Sequence, residues 1–158
     1  SQGWPTKEHA LVMCQWLAEQ GVVMIERPMP KDMNEEHAWL CEQVDLPILA
    51  DEACQTYDDV ARLAPYYDGI NIKLMKCGGV AEGRKMIALA RELGMQVMIG
   101  CMTETSAGIS AATTLSPLVD YADLDGHVLI ANDPYEGIQI VDGKLTLVDK
   151  PGTGVSLR

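Results

Sequence analysis

The sequence predicts an α/β fold that is built on a parallel sheet. Short apolar runs recur at near-constant intervals, and each gap between them holds a helix-like stretch. A repeated strand-plus-helix unit of this length is typical of a parallel sheet, in which the C-terminal ends of the strands form the active-site rim. Each run ends in a polar residue, and these residues are Glu26, Asp51, Lys73, Cys101 and the pair Asp123 and Asp125. The same pattern therefore predicts both a fold and a candidate site.

Five strands follow from the apolar runs. The first, at residues 22–26, is almost continuously apolar, which is the pattern of a strand buried on both faces. The other four are predicted at residues 47–51, 69–74, 96–101 and 121–125. A Cys-Gly-Gly turn at residues 77–79 follows the third strand. After the fifth strand the pattern changes, because residues 137–148 alternate around an Asp-Gly turn and predict a β-hairpin.

The helices between these strands have recognisable start and stop signals. They are predicted at residues 5–20, 34–44, 80–93 and 106–115, with a further helix that carries Val60, Leu63 and Ala64. Asn34 is the predicted N-cap of the second helix, and Glu35 and Glu36 occupy its first turn, where the helix dipole favours acidic residues. Thr56 and Asp59 form a predicted capping box for the third helix.

Composition excludes several classes of function. The 158 residues suffice for one sizeable domain but not for a closed (β/α)8 barrel of about 250 residues. The net charge of −11 argues against nucleic acid or an anionic membrane as a partner, because both bind clustered Lys and Arg. No apolar stretch is long enough to span a membrane, and no signal peptide is expected. The odd number of cysteines, five, favours reduced thiols in a cytoplasmic protein over a disulfide framework.

Glu26 and Asp51 are predicted at equivalent ends of neighbouring strands. Parallel neighbours lie about 4.8 Å apart, so the two carboxylates could converge on one hard cation. Oxygen-only ligation at an open site suits Mg²⁺, and a third carboxylate is then expected from a preceding strand. Spacing alone leaves open the alternative that each acid caps a helix or pairs with a surface lysine.

Lys73 ends the third predicted strand and is a candidate general base. A lysine buried near a cation is expected to have a lowered pKa, which lets it accept a proton at neutral pH. Lys76 is a weaker candidate because it lies in the predicted turn. The alternative for Lys73 is an ordinary solvated lysine.

Asp123 and Asp125 alternate with Leu124, so within a strand both acids face the same side. Two acids that face one cavity repel each other unless a cationic group lies between them. A substrate ammonium is one such group, and helix capping or a loop salt bridge is the alternative.

At these residues the sequence resembles a known family. The segments IERP, LADEA, INIKLMKCGG, IGCMTETSAG and ADLDG are similar to the enolase superfamily, and within it to the muconate-lactonizing subgroup and its dipeptide epimerases of the L-Ala-D/L-Glu epimerase type. The resemblance implies a partial (β/α)8 TIM-like barrel, about strands four to eight with their helices. Residues 1–130 would be the C-terminal half of that barrel. Residues 131–158 would form a hairpin and tail that pack on an N-terminal capping domain.

The resemblance also implies a reaction. Glu26 and Asp51 would be Mg²⁺ ligands, and Lys73 would be one of two opposed acid/base lysines. Together they would invert the α-carbon of the C-terminal residue of a dipeptide by 1,1-proton transfer through an enediolate. The residues implied to contact the substrate are Asp123 and Asp125, which would bind its N-terminal ammonium, and Cys101, Met102 and Thr103, which would lie beside it.

Two departures from the family pattern bear on function. Met75 stands where many relatives have Asp, two residues after the lysine. The chain also lacks the Asp-x-Asn that relatives carry just before the Gln-Gly-Trp at residues 2–4, and the Lys-x-Lys of strand two. We therefore expect the chain alone neither to bind Mg²⁺ tightly nor to epimerise a dipeptide.

Three questions stay open at this point. The enzyme could instead be of the o-succinylbenzoate synthase or muconate cycloisomerase type, although those substrates offer no ammonium to Asp123 and Asp125. The chain could also be a non-catalytic barrel module. A homo-oligomer is compatible with the sequence but is not predicted by any feature of it.

Overall fold

Five parallel strands in chain order form the sheet that carries the candidate site. In the computed structural model, which describes residues 3–158, the strands are β1 (Ile25–Glu26), β2 (Ile48–Ala50), β3 (Gly69–Lys73), β4 (Gln96–Gly100) and β5 (Tyr121–Ala122). Each strand pairs in parallel with the next one along the chain. The predicted parallel sheet is confirmed. The first two residues of the predicted barrel segment, of which the second opens the Gln-Gly-Trp sequence, lie outside the described residues.

Helices connect the strands and allow them to run in the same direction. The helices are α1 (Lys7–Glu19), α2 (Asn34–Gln43), α3 (Tyr57–Leu63), α4 (Leu74–Cys77), α5 (Val80–Glu92) and α6 (Ser106–Thr113), with 3-10 turns at Ser116–Leu118 and Gly126–Leu129. Parallel neighbours need such crossover connections, which a hairpin cannot supply. The strand–helix order is that of half a (β/α)8 barrel, as the resemblance implied.

Three of the predicted boundaries that differ from the structure do so for a clear local reason. Residues 22–24 precede β1, because only Ile25 and Glu26 find pairing partners on β2. Asn34 is the first residue of α2, and its N-cap is Met33. Cys77, the first residue of the predicted turn, is instead the last residue of α4, and the C-cap Gly78 has a left-handed φ of 94° that glycine adopts without strain.

Strand β3 separates the hydrophobic core from the candidate site. Ile70 and Ile72 are buried in the same core as Met86 of α5. Asn71 and Lys73 alternate with these apolar residues and therefore face the other side of the sheet. Burial of a large apolar side chain contributes roughly 1.5–3 kcal/mol, so the core face stabilises the strand that presents the polar face.

The residues after β5 form two small antiparallel pairs. Strand β7 (Gln139–Val141) pairs with β8 (Lys144–Thr146) across Asp142 and Gly143, which both have positive φ, so the predicted hairpin is confirmed. In the tail, β9 (Ser156–Leu157) pairs with β6 (Tyr135–Glu136). The packing of residues 131–158 on a capping domain stays a prediction.

All five cysteines are free. Within residues 3–158, no helix has the length and apolar character needed to cross a lipid bilayer.

The capping box of α3 is confirmed and makes stability depend on pH. Asp59 Oδ2 accepts hydrogen bonds from the backbone nitrogens of Thr56 at 2.8 Å and Gln55 at 2.9 Å. Burial raises the pKa of Asp59, but the hydrogen bonds from Arg62, Gln55 and Thr56 outweigh burial and lower the pKa to about 2.

We expect Asp59→Asn to lower the free energy of unfolding at neutral pH by about 1 kcal/mol, the usual size of a helix cap. The folded-state pKa lies below the unfolded value, so the wild-type advantage is complete above about pH 4 and is lost as pH falls toward 2. Thermal unfolding of both proteins across this range measures the effect. Asp58→Asn, which removes an exposed charge from the same turn, is the control. An advantage that persists at pH 2 would contradict the assignment.

Candidate functional site

Three strand ends bring Glu26, Asp51 and Lys73 together. Glu26 ends β1, Asp51 directly follows β2, and Lys73 ends β3. Lys73 Nζ donates a hydrogen bond to Asp51 Oδ2 at 2.7 Å, and the two side chains are only 14% and 12% exposed. The charges of Asp51 and Lys73 also act on the carboxyl of Glu26. The residues that the sequence singles out on these strands therefore form one group.

Lys76 belongs to the same group. Its Nζ donates hydrogen bonds to Asp51 Oδ1 at 2.6 Å and to the backbone oxygen of Asp51 at 2.8 Å. Helix α4 places Lys76 one turn after Lys73, so the two lysines hold the two oxygens of one carboxylate. The sequence ranks Lys76 low because it predicts a turn there. The spacing of three residues from Lys73 is the signal that indicates a shared helical face.

Asn71 is a site residue that the sequence analysis does not predict. It is 1% exposed, and its Nδ2 donates a hydrogen bond to Glu26 Oε1 at 2.5 Å. Its position two residues before Lys73 on β3 puts both side chains on one face of the sheet. That spacing is the signal that could have indicated it.

The residues that follow the two acids are also joined. Arg27 Nε lies 2.6 Å from Glu52 Oε2 in an ion pair between the loops that follow β1 and β2. Arg27 has a φ of 43°, a left-handed conformation that residues other than glycine adopt rarely. The ion pair therefore joins the loops after β1 and β2, in addition to the backbone hydrogen bonds that pair these two strands.

Burial and pairing shift the pKa values of the two acids in opposite directions. Burial alone would raise the pKa of Asp51, but the hydrogen bonds and charges of Lys73 and Lys76 outweigh it and lower the pKa. The pKa of Glu26 is raised, chiefly by burial, with the charge of Asp51 adding to it and the hydrogen bond from Asn71 opposing it. Asp51 is thus the carboxylate that the lysines neutralise.

The pKa of Lys73 moves in the direction opposite to that expected from the sequence. Burial lowers it, but the hydrogen bond and charge of Asp51 outweigh burial, with the charges of Glu26 and Glu52 adding to the effect, and the pKa is raised. The expectation assumed a neighbouring cation, whereas these neighbours are carboxylates and favour the ammonium form.

The donor set of this group fits part of a Mg²⁺ site. Glu26 and Asp51 present carboxylate oxygens, which are the ligands that hard cations prefer. Their charges repel each other, since Asp51 raises the pKa of Glu26, and a cation between them would relieve that repulsion. Among residues 3–158, no three His, Cys, Asp or Glu side chains form a complete ligand cluster. The two acids could therefore hold a metal only together with further ligands.

The remaining predicted site residues meet in a second place. A cavity of about 320 Å³ is lined by Cys101, Met102, Thr103, Asp123, Asp125, Gly126 and Leu129. Asp123 and Asp125 both line this cavity while Leu124 between them is buried, which agrees with two acids on one side. Strand β5 ends at Ala122, however, so the prediction that both acids belong to the strand is wrong.

Gly126 determines the shape of this cavity. A Cβ at this position would collide with the backbone oxygen of Met102 and would lie 3.1 Å from Cys101 Sγ. Burial raises the pKa of Cys101, a backbone hydrogen bond from Gly126 opposes the shift, and the charges of Asp123 and Asp125 add to it. The absence of a side chain at Gly126 therefore lets the loop after β5 approach the loop after β4. The sequence pattern gives no signal for Gly126.

The two groups lie at the ends of neighbouring strands, since Lys73 pairs in register with Gly100, the residue before Cys101. Within the described part of the chain, no side-chain hydrogen bond or ion pair joins the Asp51 group to the cavity beside Asp123. A larger cavity, of about 590 Å³, lies between the loops after β1 and β2 and includes Glu52. It contains none of the predicted site residues.

Comparison with known proteins identifies the family. The sequence matches the enolase C-terminal domain-like family over residues 1–158. The chain belongs to this family. It is 56% identical over 155 residues to the L-Ala-D/L-Glu epimerase of Bacteroides thetaiotaomicron, an alignment that covers 98% of this chain and 40% of that protein. It is 40% identical over 152 residues to a hydrophobic dipeptide epimerase of Roseobacter litoralis, which covers 96% of this chain and 44% of that protein.

Solved structures agree with this assignment. The dipeptide epimerase of Enterococcus faecalis V583, solved with Mg and the dipeptide L-Leu-L-Tyr, matches the chain with a TM-score of 0.89 at 34% identity. The match covers 99% of this chain and 46% of that one. The predicted fold class, a partial enolase-type barrel, is confirmed. The chain spans less than half the length of the relatives it matches.

Lys76→Met should lower the free energy of unfolding by about 1–3 kcal/mol, because it leaves Oδ1 and the backbone oxygen of the largely buried Asp51 without this donor. Lys85→Met removes a lysine that is 65% exposed and paired with Glu82 on the surface, and should change stability by less than about 0.5 kcal/mol. Urea unfolding of both variants measures the difference. Equal effects would show that Lys76 does not hold Asp51 in place.

Proposed function

We propose that this chain is the C-terminal half of a Mg²⁺-dependent dipeptide epimerase. The observation that carries the proposal is the hydrogen bond of 2.7 Å between Lys73 and Asp51 at the ends of β3 and β2, beside Glu26. A lysine next to a pair of carboxylates at a strand rim provides the groups needed to move a proton beside a metal-bound substrate. The identity of 56% to an L-Ala-D/L-Glu epimerase supports the same reaction class.

Glu26 and Asp51 would hold the metal, with a third ligand from outside this chain. Mg²⁺ bound there would hold the terminal carboxylate of the dipeptide and stabilise the negative charge that develops on it. The structure of the Enterococcus faecalis relative was solved with Mg and a dipeptide, which supports both the metal and the substrate class.

Lys73 would move the α-proton of the C-terminal residue. In one direction the neutral Nζ takes the proton from the α-carbon, so that a C–H bond breaks and an N–H bond forms. In the other direction the ammonium returns a proton to that carbon. A second lysine on the opposite face, outside this chain, would complete the exchange, and the α-carbon would be inverted because removal and return occur on opposite faces.

The cavity beside β5 would bind the amino end of the substrate. Asp123 and Asp125 line it together, and their exposed carboxylates share one side, which suits a single ammonium group. Cys101, Met102 and Thr103 would lie beside the dipeptide. This ammonium site favours a dipeptide over the substrates of o-succinylbenzoate synthase or muconate cycloisomerase, which have no ammonium.

The specific dipeptide is best tested first with L-Ala-L-Glu, since the relative at 56% identity is an L-Ala-D/L-Glu epimerase. A relative at 40% identity is named for hydrophobic dipeptides, so L-Leu-L-Tyr is the second substrate to test. We place the enzyme in the cytoplasm, where five free cysteines stay reduced, without nucleic acid or a membrane as partner and with its oligomeric state left open.

Lys73→Met should reduce epimerisation of L-Ala-L-Glu by about 10²–10⁴-fold, the usual contribution of a general acid or base. The test uses the complete protein, meaning this chain together with the N-terminal half that its relatives carry. Proton NMR in deuterated water follows both exchange of the α-proton and formation of the second epimer.

Two controls accompany this test. Lys85→Met, at an exposed lysine, should leave turnover unchanged. The isolated chain should show no α-proton exchange, because it would lack the third ligand and the second lysine. Unchanged turnover of every dipeptide by Lys73→Met would leave only the non-catalytic alternative or a different base.

Asp123→Asn and Asp125→Asn should each raise the KM for a free dipeptide by about ten- to a hundred-fold, the value of a hydrogen bond to a charged group. Wild-type enzyme should discriminate against the N-acetylated dipeptide, and the variants should lose that discrimination. Asp149→Asn, which removes an exposed charge from the tail, is the control. Better turnover of a cycloisomerase substrate than of any dipeptide would contradict the ammonium site.

A further inference from the structure

We propose that Asn71 is a positioning residue that holds the carboxylate of Glu26 in place for metal binding. The inference rests on the proposed function, in which Glu26 is a ligand of Mg²⁺. Asn71 Nδ2 donates a hydrogen bond of 2.5 Å to Glu26 Oε1, across strand β2 that lies between the two residues in the sheet. Asn71 would thus act through Glu26 without touching substrate.

The burial of Asn71 carries an energetic cost that core packing does not explain. The residue is 1% exposed, and its Oδ1 is buried with no hydrogen-bond partner among residues 3–158. An unpaired buried polar atom costs about 1–3 kcal/mol. An apolar side chain of the same shape would avoid that cost, so the hydrogen bond to Glu26 is the interaction that accounts for an amide here.

The orientation of the amide follows from the charge of Glu26. A flipped amide would point Oδ1 at the carboxylate and set two acceptors against each other, whereas the observed orientation points a donor at it. Asn71 is also neutral. It can therefore fix the carboxylate without cancelling the negative charge that a cation needs, in contrast to the lysines that hold Asp51.

Gly100 provides the room that the amide needs. A Cβ on Gly100 would lie 2.6 Å from Asn71 Oδ1 and 2.8 Å from Asn71 Nδ2, closer than real Cβ contacts. Strand β4 thus leaves a gap in the sheet face at this point, and the Asn71 amide fills it. Gly100 leaves space for the Asn71 amide, and the amide holds Oε1 of Glu26. Oε2 takes no part in that hydrogen bond.

The experiment measures metal affinity directly in the complete protein, with Mn²⁺ as a paramagnetic probe for the proposed Mg²⁺ site. Asn71→Leu keeps the shape of the side chain and removes the donor, and Gly100→Ala pushes the amide from its place. Each should raise the Kd for Mn²⁺ by about 10–100-fold, which is the usual effect of losing a residue that orients a metal ligand. Titration followed by electron paramagnetic resonance gives the Kd without any measurement of activity.

Two further variants make the result decisive. Glu26→Gln is the benchmark, because it alters the proposed ligand itself. Ser110→Ala is the control and should leave the Kd unchanged, because it removes a buried hydroxyl that also has no partner among the described residues. If Glu26→Gln leaves the Kd unchanged, the proposed function is wrong. If Glu26→Gln weakens binding but Asn71→Leu and Gly100→Ala do not, only the role of Asn71 is wrong. If circular dichroism shows that Asn71→Leu does not fold, Asn71→Ser, which is too short to reach Glu26, decides by the same criterion.

Discussion

The contact on which the site depends is the carboxylate of Asp51 between two lysines. A charge that is mostly removed from water is stable only when it is paired and hydrogen-bonded. Lys73 and Lys76 meet that requirement through both oxygens of Asp51 and through its backbone carbonyl. Since both lysines come from β3 and the helix that follows it, this contact fixes the end of β2 against the end of β3. Glu26 on β1 and Asn71 on β3 are joined across β2 by a hydrogen bond of their own.

Strand β3 supports this arrangement because one of its faces packs in the core and the other presents polar side chains to the site. Ile70 and Ile72 are buried in the core, and Asn71 and Lys73 face the site. Side chains alternate between the two faces along a strand, so residues two apart share a face and neighbours do not. A one-residue shift in register would bury Lys73 among apolar side chains and expose Ile72. The hydrophobic core therefore sets the register that the polar contacts need.

The sequence predicts most of the fold and points to most residues of the candidate site, but not to the contacts that join them. Polar residues at the ends of apolar runs locate Glu26, Asp51 and Lys73, because a parallel sheet places all such ends on one edge. The hydrogen bonds of Lys76 and Asn71 could not be found in this way, since each depends on a contact across more than twenty residues. The direction of the pKa shift of Lys73 could not be predicted for the same reason, because it depends on which charges lie nearest in space.

Charge balance explains why this group calls for further ligands. Glu26 and Asp51 supply two negative charges, and Lys73 in its ammonium form and Lys76 supply two positive ones, so the four side chains are then neutral as a set. A divalent cation added to them would leave an excess of two positive charges beside a largely buried strand end. The carboxylate of a substrate offsets one of these charges, and one further carboxylate ligand offsets the other. The third acid expected from the family pattern would therefore balance the charge of the proposed metal site as well as add a ligand, and a neutral donor such as Asn71 would orient Glu26 without changing that charge.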